Sequence, residues 1–127
     1  MEMLKDKNAL VIGGGSGMGA AVAVALAEAG ARVTIAGRRI EKLEEVTGLS
    51  TVEIQTRTVD VSDRASLDAL FSWFDEESGD LDILVNAAGI NVPRRSMTEL
   101  SPDDWDAVLK VNLTGAYDCL RMALDRM

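Results

Sequence analysis

Five glycines fall within the seven residues Gly13-Gly14-Gly15-Ser16-Gly17-Met18-Gly19, and what flanks them restricts the fold more than any other feature of the chain. Before them stands Asn8-Ala9-Leu10-Val11-Ile12, a short apolar run without alternation, which is how a strand buried on both faces reads. After them, Ala20 to Ala29 is rich in alanine with Val22, Val24 and Leu26, a strong helix former of small cross-section, and Gly30 stands where a helix C-cap belongs. Strand, glycine loop and helix therefore follow one another directly.

The alternation continues. Val33-Thr34-Ile35-Ala36 reads as a second strand, and Ile40, Leu43 and Val46 recur at helical spacing among charges. Val52 to Val59 alternates apolar with polar residues, so this third strand belongs nearer a sheet edge. Ser62 offers an N-cap for a third helix with the face Ala65, Leu67, Leu70, Phe71 and Phe74 and an end at Gly79. Leu81 to Val85 is a fourth apolar strand. Ser101-Pro102-Asp103-Asp104 then supplies an N-cap, a proline at the first helical position and an acid at the third. Beyond Trp105, Val108, Leu109, Leu113, Ala116, Leu120, Ala123 and Leu124 sustain helical spacing to the last residue, Met127. Strands alternating with helices imply an α/β fold, a parallel sheet wound on both faces through right-handed crossovers.

Composition narrows the function classes. The 127 residues fit a single domain, 1–127, and 47% hydrophobic content supplies a core. A net charge of −8 argues against nucleic-acid or anionic-membrane partners, since the basic residues form only two small arginine pairs. One cysteine, Cys119, allows no internal disulfide, and the lack of histidine excludes a Cys/His metal site and a histidine-based triad. No metal site is expected. No run of about 20 apolar residues is present to span a membrane, so a cytoplasmic, reducing location is expected.

The glycine pattern, G-x-x-x-G-x-G between a strand and a helix, is suited to a dinucleotide pyrophosphate. Glycines let the backbone approach the phosphates, and the free N–H groups and positive end of the following helix attract them. At the end of the second strand an acid would bind the ribose 2′-hydroxyl of NAD. Gly37 stands there instead, with Arg38 and Arg39 beside it, and a guanidinium grips a 2′-phosphate, which points to NADP in preference to NAD. Two further clusters stand at carboxyl ends of strands, where open α/β sheets place ligands: Asp60-Val61-Ser62 and Asn86-Ala87-Ala88-Gly89. Either is also readable as an ordinary cap or turn.

Taken together, the glycine motif, Asp60, Asn86-Ala87-Ala88-Gly89 and Val111-Asn112 resemble, in order and context, the classical short-chain dehydrogenase/reductase family. The resemblance runs from Asn8 to the last residue and implies a Rossmann sheet of strand order 3-2-1-4. It implies a cofactor loop formed by Gly13, Gly17 and Gly19, with Gly15 and Met18 in the same turn. Ser16 and Arg38 would contact the adenosine phosphate region, Asp60 the adenine amino group, and Asn86 with its neighbours the adenosine side. Asn112 matches the asparagine of the family's Asn-Ser-Tyr-Lys active site, which holds a relay water and kinks its helix, and Gly115 would ease such a kink.

Two departures from the family pattern matter. Ile12 replaces the usual threonine before the first motif glycine, leaving the phosphate site intact. No Tyr-x-x-x-Lys occurs: the only tyrosine, Tyr117, is followed four residues on by Arg121, so the family's principal acid/base is lacking. The chain stops where the family continues into its fifth strand, so a sheet truncated before that strand is expected. Its fourth strand would be an exposed edge, and self-association into a homo-oligomer through that edge or the last helix is expected. Three readings stand: the cofactor half of an NADP(H)-dependent reductase of a carbonyl or secondary alcohol, a non-catalytic dinucleotide-binding module, and a partner subunit.

Overall fold

Every residue of the first strand, β1 (Asn8–Ile12), is buried in the computed structural model, which describes residues 2–127. The strand is central in a four-stranded parallel sheet of order β3-β2-β1-β4, with β2 at Arg32–Gly37, β3 at Ile54–Thr58 and β4 at Ile83–Asn86. Ile12 pairs with Ala36 on one side and Asn86 on the other. That register brings Gly13 and Ala87, which follow β1 and β4, and Gly37, the last residue of β2, to one edge of the sheet.

The alternation of side chains along a strand divides the core in two. Ala9, Val11, Val33 and Ile35 face α1 (Gly17–Glu28) and α2 (Ile40–Thr47), whereas Leu10 and Ile12 face α3 (Arg64–Glu77) and the last helix. Small residues in α1, Gly19, Ala20, Ala23 and Ala27, are its buried face and allow close approach to the sheet. Gly30 ends α1 at φ +103°, its N–H donating to Ala27 O while Ala31 N donates to Leu26 O. This paired arrangement satisfies carbonyls that a helix end otherwise leaves orphaned, and it needs the left-handed conformation glycine tolerates.

The third helix starts differently from the expectation placed on Ser62. Asp63 is the N-cap, its carboxylate accepting from Ala65 N at 3.0 Å. Ser62 is committed elsewhere, donating both its N–H (2.9 Å) and its hydroxyl (2.6 Å) to Asp60 Oδ1. Leu67, Leu70, Phe71 and Phe74 are buried as the spacing implied, but Ala65, in the first turn, is exposed. β3 is an edge strand, shorter than the apolar alternation from Val52 suggests, because Val52 is exposed and precedes the paired segment. β4 likewise begins at Ile83, and its three apolar residues are only half-buried on the opposite edge.

The last helix runs from α4 (Pro102–Leu109) through a π-helical turn (Lys110–Gly115) into α5 (Ala116–Leu124). Ser101 caps it, accepting from Asp104 N at 3.1 Å with Pro102 following, as its sequence requires. The buried face, however, is not the leucine row. Gly115, Asp118, Cys119, Met122 and Ala123 are buried, while Leu113, Leu120 and Leu124 are more than half exposed beside Tyr117. Close packing selects the row with small residues, and a Cβ on Gly115 would lie only 3.2 Å from Val61 Cγ2 and O. Burial, and secondarily the charge of Asp118, push the Cys119 thiol up to about 11, so it stays protonated. Two ion pairs tie this helix to α3: Arg64 with Asp118 at one end and Arg126 with Asp75 at the other.

Candidate functional site: a cleft at the carboxyl ends of the strands

The glycine loop folds back onto the sheet through its own backbone, Gly13 N donating to Ala36 O at 2.7 Å and Gly14 N at 3.3 Å. Gly13 has φ +83°, and a Cβ there would lie 2.4 Å from Ala88 N. Gly19 is equally confined, since a Cβ would fall 2.2 Å from Gly13 O. The loop and the first turn of α1 are thus in backbone contact, and only hydrogen fits between them.

At the start of α1 the N-cap, Ser16, makes no side-chain capping bond, and the first turn contains no acid. The other helices differ. α3 and α4 are capped by Asp63 and Ser101, and α2 has Glu41 in its first turn. The orphan donors and positive dipole end of α1 are left to whatever occupies the space in front of them.

That space is an open cleft of about 170 Å3 walled by Gly13, Gly15, Ser16, Arg38, Arg39, Asp60, Val61, Ala87, Ala88 and Gly89. A whole small ligand usually needs about 300–1,000 Å3, so the cleft would enclose part of an extended dinucleotide. Sequence reading missed several of its walls. Ile12, Lys42, Leu43, Val59, Ile90 and Val111 also line it. Of these only Lys42 carried a usable signal, standing three residues beyond Arg39 and thus on the same side of α2.

The remaining sequence candidates lie outside the cleft walls. Gly17, with φ +57°, has no atom within 4 Å of an added Cβ, Met18 is 84% exposed, and Gly19 is buried beneath the loop. Asn86 turns its side chain inward on its own turn, Oδ1 accepting from Ala88 N at 3.2 Å. Asn112 sits in the π-helical turn, so the distortion expected there is a widened turn that ends at Gly115. Both ends of its side chain engage one residue, Oδ1 accepting from Ile90 N (2.8 Å) and Nδ2 donating to Ile90 O (2.9 Å). Asn112 thereby ties the helix to the loop after β4.

Asp60 is held well into its ionised form. The two bonds from Ser62 lower its pKa most, the nearby charges of Arg38 and Lys110 add to this, and partial burial opposes it. A depressed folded-state pKa contributes stability above the unfolded value, which is lost as pH falls through the folded one. Asp60→Asn is therefore expected to soften acid unfolding below about pH 4 and leave the pH dependence between about 5 and 8 unchanged, as read by urea midpoints. The effect is small, because the carboxylate is largely hydrated.

A parallel sheet with an uncapped helix facing a glycine-lined cleft at its carboxyl edge defines a Rossmann dinucleotide-binding unit. Comparison with known proteins gives the family: the model of the short chain dehydrogenases matches residues 7–127, and the chain belongs to that family, whose members are oxidoreductases using nicotinamide dinucleotides. An uncharacterized oxidoreductase of Staphylococcus aureus (strain MW2) is 38% identical over the whole chain, which covers 55% of that relative. Another of Staphylococcus epidermidis is 29% identical over 98% of the chain, covering 54% of that relative. The chain thus spans about half the length of the curated relatives it matches. Among solved structures, a short-chain dehydrogenase/reductase from Serratia marcescens superposes with TM-score 0.90 at 32% identity, covering 98% of this chain and 52% of that one. A citronellol catabolism dehydrogenase of Pseudomonas aeruginosa PAO1 gives 0.89 at 28%, with the same coverage. Among the described residues no helix is long and apolar enough to cross a membrane, and no group of three or more acidic or cysteine side chains could hold a metal.

Proposed function

We propose that this chain is the cofactor-binding portion of an NADP(H)-dependent short-chain oxidoreductase that reduces a carbonyl or oxidises a secondary alcohol. The observation that carries the reading is the pairing of an uncapped α1 N-terminus with Arg38, Arg39 and Lys42 on one cleft. The residues present fit the group: the glycine cradle leaves room for backbone to meet a pyrophosphate, and the cations would meet a 2′-phosphate. A nicotinamide bound there supplies or accepts the hydride. Asp60 would take the adenine amino group, and Ala87 to Gly89 would lie against the adenosine. Asn112 would hold the loop beyond Ile90 in place at the reacting end.

The chain's own part is binding and orientation. Its single tyrosine, Tyr117, is exposed on the outer row of the last helix and is not among the residues that wall the cleft. That observation favours a second reading, a dinucleotide-binding module or partner subunit without turnover of its own. Self-association in the cytoplasm belongs to either reading, supported by the exposed row Leu113, Leu120 and Leu124. Titration with NADPH and with NADH, followed by nucleotide fluorescence, tests the proposal: NADPH is expected to bind at least about tenfold more tightly. Tighter NADH, or no binding of either, would overturn it.

A further inference from the structure

Asp118 is a charge that packing alone does not explain. It is 2% exposed on a helix face otherwise made of Gly115, Cys119, Met122 and Ala123, where an apolar side chain would avoid the cost of dehydrating a carboxylate. Its partner is Arg64, whose Nε donates to both carboxylate oxygens, at 3.1 and 3.0 Å. Arg64 is the first residue of α3 and directly follows the loop Asp60 to Asp63. Only the carboxylate of this pair is buried, the Arg64 side chain being largely exposed, so the pair adds little stability over an apolar packing but selects one register, because any other leaves Asp118 buried alone.

The register it selects is that of the cleft. Gly115, three residues before Asp118, meets Val61, and Val61 together with Asp60 walls the cleft from below. On the other side of the same π-helical turn, Val111 walls the cleft and Asn112 fixes Ile90. We propose that Asp118 and Arg64 are positioning residues: their pair sets the π-helical turn against Val61 and so holds Val111, Asn112 and the Ile90 loop at the dinucleotide cleft. The proposal rests on the cleft being the cofactor site for its consequence, but its geometry holds without a ligand.

The molecule contains its own control. Asp75, near the end of α3, and Arg126, just past the end of α5, join the same two segments at their far end, at 2.6 and 2.8 Å, and neither walls the cleft. Asp118→Asn, Arg64→Gln, Arg64→Lys and Asp75→Asn in this chain separate positioning from plain stability. In the ligand-free protein, the Asn112 side-chain amide and Ile90 backbone amide resonances are expected to move and broaden in Asp118→Asn and Arg64→Gln. They stay in place in Asp75→Asn and return most of the way in Arg64→Lys. With NADPH as probe, affinity is expected to fall by about five- to tenfold in the first two and to change less than about twofold in Asp75→Asn. Arg64→Gln leaves the Asp118 carboxylate without its partner and is expected to cost stability, so urea unfolding is read alongside, and Arg64→Lys, which keeps a cation at an exposed position, folds even where Arg64→Gln does not. If Asp75→Asn disturbs both readouts as much as Arg64→Gln, or if neither moves in Arg64→Gln, the positioning role is wrong. Failure of the wild-type chain to bind NADPH overturns the cofactor reading instead, and the resonances still decide this one.

Discussion

Gly19→Ala is expected to abolish dinucleotide binding, lowering NADPH affinity by more than about a hundredfold, while Gly17→Ala costs far less. The reason lies in what a methyl group would meet. At Gly19 it would stand 2.2 Å from Gly13 O and 3.0 Å from Gly13 C and Ala87 Cβ, so backbone would have to give way on one side or the other. Overpacking of this kind typically costs about 1–3 kcal/mol of stability. The functional loss is larger, because relief requires α1 to slide off the loop, and its N–H groups then no longer converge with the glycines on one point in space. At Gly17 the space is open and only the left-handed backbone, φ +57°, is penalised, by about 1–2 kcal/mol. Urea unfolding measures the stability of both variants, and NADPH titration measures their affinity. Gly19→Ala binding within about threefold of wild type would show that the contact between loop and helix is not what shapes the site.

Both glycines are conspicuous in the sequence, but their different roles are not. The motif marks a loop before a helix; that Gly19 meets backbone and Gly17 does not depends on how the loop folds Gly13 back against the helix, with the Ala87 side chain closing in just after a strand some 70 residues away. The same division runs through the fold. Elements whose character is local were legible: β1 and β2 as unbroken apolar runs, β3 as an alternating edge strand, and the Ser101-Pro102 helix start. The cap of α3 was not, because Ser62 and Asp63 are both good caps, and only the long-range position of Asp60 decides that Ser62 is engaged elsewhere. The buried face of the last helix is not legible in its apolar spacing for a related reason. Its leucines form the more hydrophobic row, yet the sheet takes the row with Gly115 and Ala123, which permits closer approach. At the site, Gly13, Arg38, Asp60 and Ala87 to Gly89 could be named because each directly follows a strand or its loop. Ile90 and Val111 enter the cleft only through the Asn112 bridge, and the Arg64 to Asp118 pair joins residues 54 apart, so neither leaves a periodic trace.

Arg38→Ala is expected to weaken NADPH by about thirtyfold, near 2 kcal/mol, and to leave NADH within about twofold of wild type. Arg38 extends from the end of β2 onto the rim of the cleft and forms no salt bridge among the described residues. Its charge is felt by Asp60, which it helps keep ionised, so the guanidinium lies within electrostatic reach of the group assigned to adenine. A 2′-phosphate would come between Arg38 on one side and Lys42, one turn into α2, on the other. Planar, bidentate donors favour the arginine for the greater share of that binding, and Arg38→Lys should accordingly recover only part of the loss. Because the side chain is exposed, the difference between NADPH and NADH should shrink as salt rises from about 0.05 to 0.5 M, where screening becomes strong. An equal loss of both nucleotides in Arg38→Ala would place the arginine against the adenosine common to the two. The preference would then have to come from Lys42 or Arg39, and the acid missing at Gly37 would lose its significance.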